Sequence, residues 1–399
     1  MPYDFISSQN VKGKTLVVRL DLNSSVENGK ILVSARIKAH AETVKELAQK
    51  GAKLVLLAHQ GRKGDADFIS LSHHARALAK YSERDVFFAS WKEDFEKIIK
   101  GLASGEVLLL ENTRFQEDEA VDKTPEEHSK SSWIKKIAAN SDFFVQDALS
   151  ACHRAHASVV GFFPLIPCFA GLQLEKELSA LEKAEKVKKT LFILGGAKPE
   201  DSVQLTGSLL KNKKAESVFA GGLPGELFLK AKGISLGEKE KFFEEKGFNK
   251  LLGNAKELLK TFPKKILLPM DVALDAEGTR KEISVEELPS GYSIKDIGSG
   301  TVDLIKKKIS ESEFVVFNGP LGVYEEDAFI LGTKEVFGFL SESAKPCILC
   351  GGDTETALEE LNFSIEDFFY VSLAGKALLE YLSGKKLPGL EILKQGKAK

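Results

Sequence analysis

The sequence contains little cysteine, with four thiols in 399 residues, at positions 152, 168, 347 and 350. So few cysteines argue against a disulfide framework and are typical of a reducing compartment, so we expect a cytoplasmic protein. Cys347 and Cys350 form a CxxC pair inside the apolar segment PCILC. A zinc site would need a second pair or nearby histidines, and neither is present, so we expect buried strand cysteines.

The sequence also lacks a strong charge imbalance and long apolar runs. A net charge of −2 predicts no general affinity for nucleic acid or for anionic membranes. No apolar run approaches the ~20 residues of a membrane helix. The first residues, MPYDFISSQN, have no basic or apolar signal segment, so we expect no secretory signal. What remains is a globular composition, long enough for two domains.

Arginine is scarce, with eight residues against 48 lysines. Seven of the eight lie in the first 154 residues, and five of these are beside predicted strands or the loops after them: Arg19, Arg36, Arg62, Arg114 and Arg154. These arginines lie in or after the segments TLVVRLDLN, AKLVLLAHQGR, EVLLLENTRF and DFFVQDALSACHR, or in the first intervening helical pattern. Alternating strands and helices predict a parallel sheet, whose ligands bind at the carboxyl ends of the strands. The polar residues at those ends are Asp21, Asn23, His59, Arg62, Arg114, His153 and Arg154. Arginine suits phosphate or carboxylate, so we predict an anion site; surface salt bridges are the alternative.

The second half ends its predicted strands in glycine. LFILGGAK, SVFAGGLPG, FVVFNGPLG and CILCGGDTE each lead from an apolar strand into a Gly-Gly or Asn-Gly-Pro loop. Glycine lets backbone N–H groups approach phosphate oxygens, with help from the following helix N-terminus. Four such loops indicate a nucleotide site. No Walker motif and no strand followed by GxGxxG is present.

Two side chains beside these loops have alternative roles. Asp353 could ligate Mg²⁺ or cap the helix that follows it, and the sequence does not separate the two. Lys198 could neutralise a transferring phosphoryl group or be solvated.

Between the halves, residues 171–189 form a charged amphipathic pattern that predicts a connecting helix with a hinge near its start. An anion domain and a nucleotide domain joined by a hinge suit phosphoryl transfer, with closure excluding water.

The sequence resembles the phosphoglycerate kinase family from about Thr15 to about Leu393. The resemblance is carried by RLDLN, SARI, HQGR, ENTRF, DALSACHRAH, LGGAK, FNGPLGVYEEDAFILGT, GGDT and LSGKKLPG, and is closest in pattern to archaeal members. It implies an α/β fold of two domains, each a mainly parallel sheet flanked by helices. The implied domains are residues 1–170, completed by the tail 384–399, for 3-phosphoglycerate, and residues 171–383, the hinge helix and nucleotide domain.

The resemblance also implies roles for individual residues. The substrate patch would comprise Asp21, Asn23, Arg36, His59, Arg62, Arg114, His153 and Arg154, with His156 supporting its loop. The nucleotide residues would be Gly195, Lys198, Gly221, Gly222, Asn318, Pro320, Glu325, Gly351, Gly352, Asp353 and Thr354. Arg36, Lys198 and Gly352 would lie at the transferring phosphoryl group, and Asp353 would hold Mg²⁺. The implied reaction is the reversible transfer of a phosphoryl group between 1,3-bisphosphoglycerate and Mg-ADP, giving 3-phosphoglycerate and ATP, and the implied oligomeric state is a monomer.

The sequence departs from the family pattern at three places. Ser202 stands where a second lysine is usual, Cys350 replaces the first of three glycines, and residues 373–376 read LAGK instead of a threonine and three glycines. We hypothesise that Lys376 partly replaces the lost donors; the alternative is a solvated lysine. These changes leave open a noncatalytic or weakly active relative. A kinase for a different carboxylic acid would need a changed basic patch, and none is visible.

Overall fold

The structure is a computed structural model, described here for residues 2–343 and 345–394. The chain divides into two compact units, Met1–Ser179 with Lys386–Lys399, and Ala180–Lys385. No helix in the described residues is both long enough and apolar enough to cross a membrane.

The first unit is built on a parallel sheet. The strands of this unit are β1 (Thr15–Arg19), β2 (Val26–Glu27), β3 (Lys30–Ile31), β4 (Lys53–Leu57), β5 (Val86–Ala89), β6 (Val107–Leu110), β7 (Phe143–Gln146) and β8 (Cys168–Ala170). The parallel sheet has the order β5-β6-β4-β1-β7-β8, while β2 and β3 form a separate hairpin. β1 and β6 are buried along their whole length, as expected for parallel strands covered on both faces.

Helices connect these strands and cover the sheet. They are α1 (Ala35–Gln49), α2 (Ser72–Ser82), α3 (Phe95–Gly101), α4 (Pro125–His128), α5 (Ser132–Ala138) and α6 (Ala157–Val160). α1 buries Ile37, Ala41, Val44 and Ala48, spaced three or four residues apart, so one helical stripe packs on the sheet. α7 (Leu172–Glu185) begins in the first unit and ends in the second.

The second unit repeats this architecture with a small antiparallel sheet added. Its strands are β9 (Thr190–Leu194), β10 (Ser217–Ala220), β11 (Ile266–Leu267), β12 (Asp271–Ala276), β13 (Thr279–Ser284), β14 (Ser293–Ile297), β15 (Phe314–Asn318), β16 (Cys347–Cys350) and β17 (Tyr370–Ser372). The parallel sheet has the order β11-β10-β9-β15-β16-β17, and β13-β12-β14 form the antiparallel one.

The helices of the second unit follow its strands. They are α8 (Pro199–Lys211), α9 (Gly222–Ala231), α10 (Lys239–Glu245), α11 (Leu252–Thr261), α12 (Ser299–Glu311), α13 (Leu331–Glu342), α14 (Gly352–Glu360) and α15 (Lys376–Leu382). The chain then returns to the first unit as α16 (Pro388–Lys394), where the Gly389 N–H donates to the Cys152 carbonyl at 2.9 Å. Residues 395–399 of the predicted tail lie outside the described residues.

The predicted α/β class, with two mainly parallel sheets flanked by helices, is confirmed. The predicted strand cysteines are also confirmed, because Cys347 and Cys350 are free, buried thiols at the two ends of β16. The sequence did not predict the β13-β12-β14 sheet. Its strand β13 carries mostly polar residues, and all of their side chains are partly or fully exposed.

Candidate functional site

The loops after β1, β4, β6 and β7 lie side by side, because these strands are neighbours in the first parallel sheet. Hydrogen bonds join the loops. Asn23 Oδ1 accepts from the Gly61 N–H at 2.9 Å. Asn112 Oδ1 accepts from the N–H groups of Gln60, at 3.3 Å, and Arg114, at 3.1 Å. The predicted strand-end residues are therefore held at one edge of the sheet.

A cavity of about 710 Å³ lies among these loops, and its lining is strongly basic. Arg62, Lys63, Arg114, Arg154 and His156 all line it. His156, expected only to support its loop, thus reaches the cavity itself. Converging guanidinium groups are suited to a small ligand carrying phosphate and carboxylate.

The arginines of this cavity repel one another. Burial, together with the nearby charge of Arg154 and Arg19, lowers the pKa of Arg114 to about 10. Burial and the charge of Arg62 likewise lower the pKa of Arg154. A bound anion would relieve this repulsion, so the electrostatics favour an anionic ligand.

Asp21 and Arg36 lie together at the same sheet edge. Arg36 Nε is 3.7 Å from Asp21 Oδ2, and the Ser150 hydroxyl donates to the same oxygen at 2.6 Å. Burial alone would raise the pKa of Asp21, but the charge of Arg36 and the hydrogen bond from Ser150 hold that pKa well below its ordinary value. The carboxylate is therefore ionised and fixes the position of Arg36 in the first turn of α1.

Two histidines act as acceptors for arginine. Arg19 donates to His59 Nδ1 at 2.8 Å, and Arg154 Nε donates to His153 Nε2 at 3.0 Å. Burial, then the charges of Arg19 and Arg114, lower the pKa of His59 well below its ordinary value, so this ring is neutral at pH 7. Sequence reasoning gave Arg19 no role at the site. The sequence did contain a signal for such a role, namely an arginine inside an apolar strand, because a buried charge of this kind requires partners.

In the second unit, the loops after β9, β15 and β16 surround a cavity of about 360 Å³. The sequence-predicted residues that line it are Gly195, Lys198, Asn318, Gly351, Gly352, Asp353 and Thr354. Lys198 is exposed and occupies the N-cap position of α8. The hydroxyl oxygen of Thr354 is used within the protein. It accepts a hydrogen bond from the Gly319 N–H at 2.8 Å and thereby joins two of the loops.

Glycine is required at this cavity for a steric reason. Gly351 has φ +103°, and a Cβ there would come 2.6 Å from Asn318 Oδ1. A Cβ on Gly195 would collide with the carbonyl group of Pro320. The loop backbones therefore approach one another closely, and only glycine leaves room for a ligand against their N–H groups.

The position of Asp353 separates the two roles left open by the sequence. The N-cap position of α14 belongs to Gly351, which has no side chain, and Asp353 lies in the first helical turn. Asp353 lines both the 360 Å³ cavity and a second cavity beside it. The carboxylate is thus available to a ligand and is not the helix cap.

The neighbouring cavity, of about 340 Å³, is mostly apolar. Gly222, Pro320 and Glu325 line it, as do apolar residues from α9, α10 and the antiparallel sheet. Gly221 lies behind it as the N-cap residue of α9, and a Cβ there would come 2.6 Å from the Leu321 side chain. An apolar cavity that adjoins a glycine-lined one has the shape required by a nucleoside attached to its phosphates.

The departures from the family pattern lie around the glycine-lined cavity. Ser202 lines it with a short side chain, and Cys350 is buried with its Sγ 3.5 Å from the Phe317 carbonyl oxygen. Of the LAGK stretch, Gly375 and Lys376 line the cavity. Lys376 Nζ is 2.9 Å from Asp201 Oδ1, beside the position where the usual second lysine is missing.

Comparison with known proteins agrees with this arrangement. A family model described as phosphoglycerate kinase matches residues 6–385. The phosphoglycerate kinase of Methanopyrus kandleri is 37% identical over 402 residues, covering 98% of each chain, and that of Sulfolobus acidocaldarius is 39% identical, covering 97% of this chain and 95% of the relative. The crystal structure of phosphoglycerate kinase from Pyrococcus horikoshii superposes with a TM-score of 0.90 at 34% identity, covering 98% of each chain. These matches confirm the resemblance found in the sequence, and the chain belongs to the phosphoglycerate kinase family.

Proposed function

We propose that the protein transfers a phosphoryl group reversibly between 1,3-bisphosphoglycerate and Mg-ADP, giving 3-phosphoglycerate and ATP. The observation that carries the proposal is the pair of complementary sites. The first unit has a cavity lined by three guanidinium groups, and the second has a glycine-lined cavity next to an apolar one. The first site matches a small acid that carries a phosphate and a carboxylate group, and the second pair of cavities matches a nucleotide.

In the first unit, the arginine-lined cavity binds 3-phosphoglycerate. Arg62, Arg114 and Arg154 pair with its phosphate or carboxylate, because planar guanidinium groups bind such oxygens in a bidentate manner. Asp21 holds Arg36, whose charge stabilises the transferring group. Asn23, His59 and His153 keep the loops and arginines in place through the hydrogen bonds described above.

In the second unit, the nucleotide lies across the two adjacent cavities. The loop at Gly351 and Gly352, at the N-terminus of α14, presents backbone N–H groups to the phosphates, and Gly195, Asn318 and Pro320 form the adjacent wall. Lys198 places its positive charge near the terminal phosphate. Gly222 and Glu325 lie in the apolar cavity, which receives the base and ribose. Thr354 and Gly221 support these loops from behind.

The residues present suit a Mg²⁺ ion that travels with the nucleotide. No group of three or more histidine, cysteine or acidic side chains in the described part of the chain is arranged to hold a metal. Asp353 is a single oxygen donor in the same cavity as the phosphate-binding loops. Mg²⁺ is commonly bound by one or two carboxylates together with substrate phosphates, and there it neutralises phosphate charge.

The chemistry needs no covalent enzyme intermediate and no proton transfer. A carboxylate oxygen of 3-phosphoglycerate attacks the γ-phosphorus of ATP while the bond from that phosphorus to the β–γ bridging oxygen breaks. The acceptor is already ionised, so the protein contributes alignment and positive charge. Arg36 and Lys198 supply that charge from the substrate and nucleotide sides. Because each cavity is lined from a single unit of one chain, we also propose that the protein acts as a monomer.

A coupled assay tests the proposal. Purified protein with 3-phosphoglycerate, ATP and Mg²⁺ should consume ATP only when all three are present. Glycerate without the phosphate should be a poor acceptor, because it leaves part of the basic cavity unpaired. Binding of both ligands without turnover would refute catalysis and indicate a noncatalytic relative, whereas turnover with an unphosphorylated acid would refute the acceptor.

A further inference from the structure

The apolar cavity of the second unit contains a buried acidic side chain that the proposed reaction does not use. Glu226 lies in α9, one turn after Gly222 on the same face of the helix, and lines the cavity together with Leu229. The residue is 6% exposed. Glu226 is thus a buried acid in the wall of the cavity proposed for the base.

The hydrogen bonds of this carboxyl group are incomplete. Glu226 Oε1 is 3.5 Å from Nζ of Lys239, which also lines the cavity and donates to the Ile294 carbonyl at 2.6 Å. Oε2 is buried and has no hydrogen-bond partner. Burial raises the pKa of Glu226 to about 7 despite Lys239, as expected for a carboxyl group with too few donors. An unsatisfied buried acceptor is costly, and a ligand N–H group would remove that cost.

The surrounding wall is mostly apolar, although Lys295, Asp296 and Glu325 also line the cavity. Phe242, Leu229, Val272 and Ile294 contribute apolar surface near the pair. In such cavities a small number of polar groups fixes the orientation and identity of the ligand. Glu226 and Lys239 are placed to do this, with one free acceptor beside one cation.

We propose that Glu226 selects the nucleobase by accepting a hydrogen bond from the 6-amino group of adenine, with Lys239 facing the adjacent ring nitrogen. This inference rests on the proposed nucleotide site. Adenine presents one donor next to one acceptor, which matches the pair. Guanine would bring two adjacent donors, but Oε1 already faces Lys239. Hypoxanthine places a carbonyl oxygen where the 6-amino group stands, opposite a carboxylate oxygen.

The test compares the binding of three nucleoside diphosphates by calorimetry: ADP, IDP and purine riboside diphosphate, which lacks a substituent at position 6. At about pH 8.5, where the Glu226 carboxyl group is ionised, the wild-type protein should bind ADP at least about tenfold more tightly than either analogue, as one hydrogen bond to a charged group allows. Glu226→Gln replaces the acceptor with a side chain that can donate to the IDP carbonyl, so the ADP-to-IDP ratio should fall about tenfold or more. Glu226→Leu should bind ADP and purine riboside diphosphate equally.

The ratio of two affinities within one protein is insensitive to a partly unfolded fraction. Glu244→Gln, an exposed glutamate of α10, is the matched control and should keep the wild-type ratio. Equal ADP and IDP affinities in the wild-type protein, or an unchanged ratio in Glu226→Gln, would overturn the inference while leaving phosphoryl transfer intact. Retained ADP selectivity without turnover would refute the proposed reaction alone. If the protein bound none of the three nucleotides, both the proposed reaction and the role of Glu226 would be refuted.

Discussion

Lys376 forms an ion pair with Asp201, with Nζ 2.9 Å from Oδ1, and both residues line the glycine-lined cavity. The two side chains are 58% and 51% exposed, so the pair contributes little to stability. We propose a different use for the pair, because Asp201 holds the Lys376 ammonium group beside the proposed phosphate site. Lys376 can then exchange the carboxylate for a phosphate oxygen.

Lys376→Ala should therefore lower kcat by about tenfold or more, equivalent to ~1.4 kcal/mol of transition-state stabilisation. The thermal midpoint should stay unchanged. Lys308→Ala, which removes a half-buried lysine paired with Glu311 in α12, is the control and should leave kcat unaltered. A wild-type kcat in Lys376→Ala would show that this lysine is merely solvated.

Arg154→Ala should raise the KM for 3-phosphoglycerate by roughly tenfold or more and leave the KM for ATP nearly unchanged, because Arg154 lines only the basic cavity of the first unit. Steady-state kinetics with each substrate varied separately measure the two effects. Arg76→Ala, at an exposed arginine of α2, provides the comparison. The assignment fails if the 3-phosphoglycerate KM does not move.

Asp353→Asn should lower kcat strongly and shift the Mg²⁺ dependence of the rate to higher concentrations. Asparagine keeps the shape but loses the charge that a magnesium–nucleotide complex requires. Titrating Mg²⁺ at a fixed ATP concentration measures this shift in Asp353→Asn relative to the wild-type protein. Glu359→Gln, at an exposed position of α14, serves as the control. Unaltered Mg²⁺ dependence would remove Asp353 from the metal site.

His74 should make the first unit less stable in mild acid. Burial, together with the charge of His73, lowers the pKa of His74 from 6.5 to about 4. Between these values the unfolded chain binds more protons than the folded one, so the free energy of unfolding decreases as the pH falls. Between pH 7 and pH 5 the loss from this residue is roughly 2 kcal/mol.

Tryptophan fluorescence during denaturant unfolding measures this effect, because Trp91 and Trp133 both lie in the first unit. His74→Gln can still donate to Gln60 Oε1, which His74 Nε2 approaches at 3.1 Å, but it does not titrate. The variant should lose less stability than the wild-type protein between pH 7 and pH 5. Equal losses in the two proteins would exclude His74 as a source of acid sensitivity.

Much of the fold was predictable because its signals are local. Each apolar segment that precedes a polar or glycine loop became a parallel strand, as β1, β4, β6 and β7 show in the first unit. The glycines at 195 and 351 were predictable for the same reason, since both follow predicted strands; in the structure a Cβ at either position would collide with a neighbouring loop. The antiparallel sheet was not predicted; its strand β13 is mostly polar and partly or fully exposed, so in sequence it resembles a loop.

The sequence by itself determined the two parallel sheets, the clustering of arginines at one sheet edge and the membership of the family. These follow from hydrophobic periodicity and short motifs, which depend on near neighbours in the chain. Only the tertiary structure decided which side chains meet. It put Gly351 rather than Asp353 at the cap of α14, paired Lys376 with Asp201, and buried Glu226 with an unpartnered oxygen. Such contacts join residues far apart in the sequence, and burial, charge and hydrogen bonding at them depend on the packing of the whole unit.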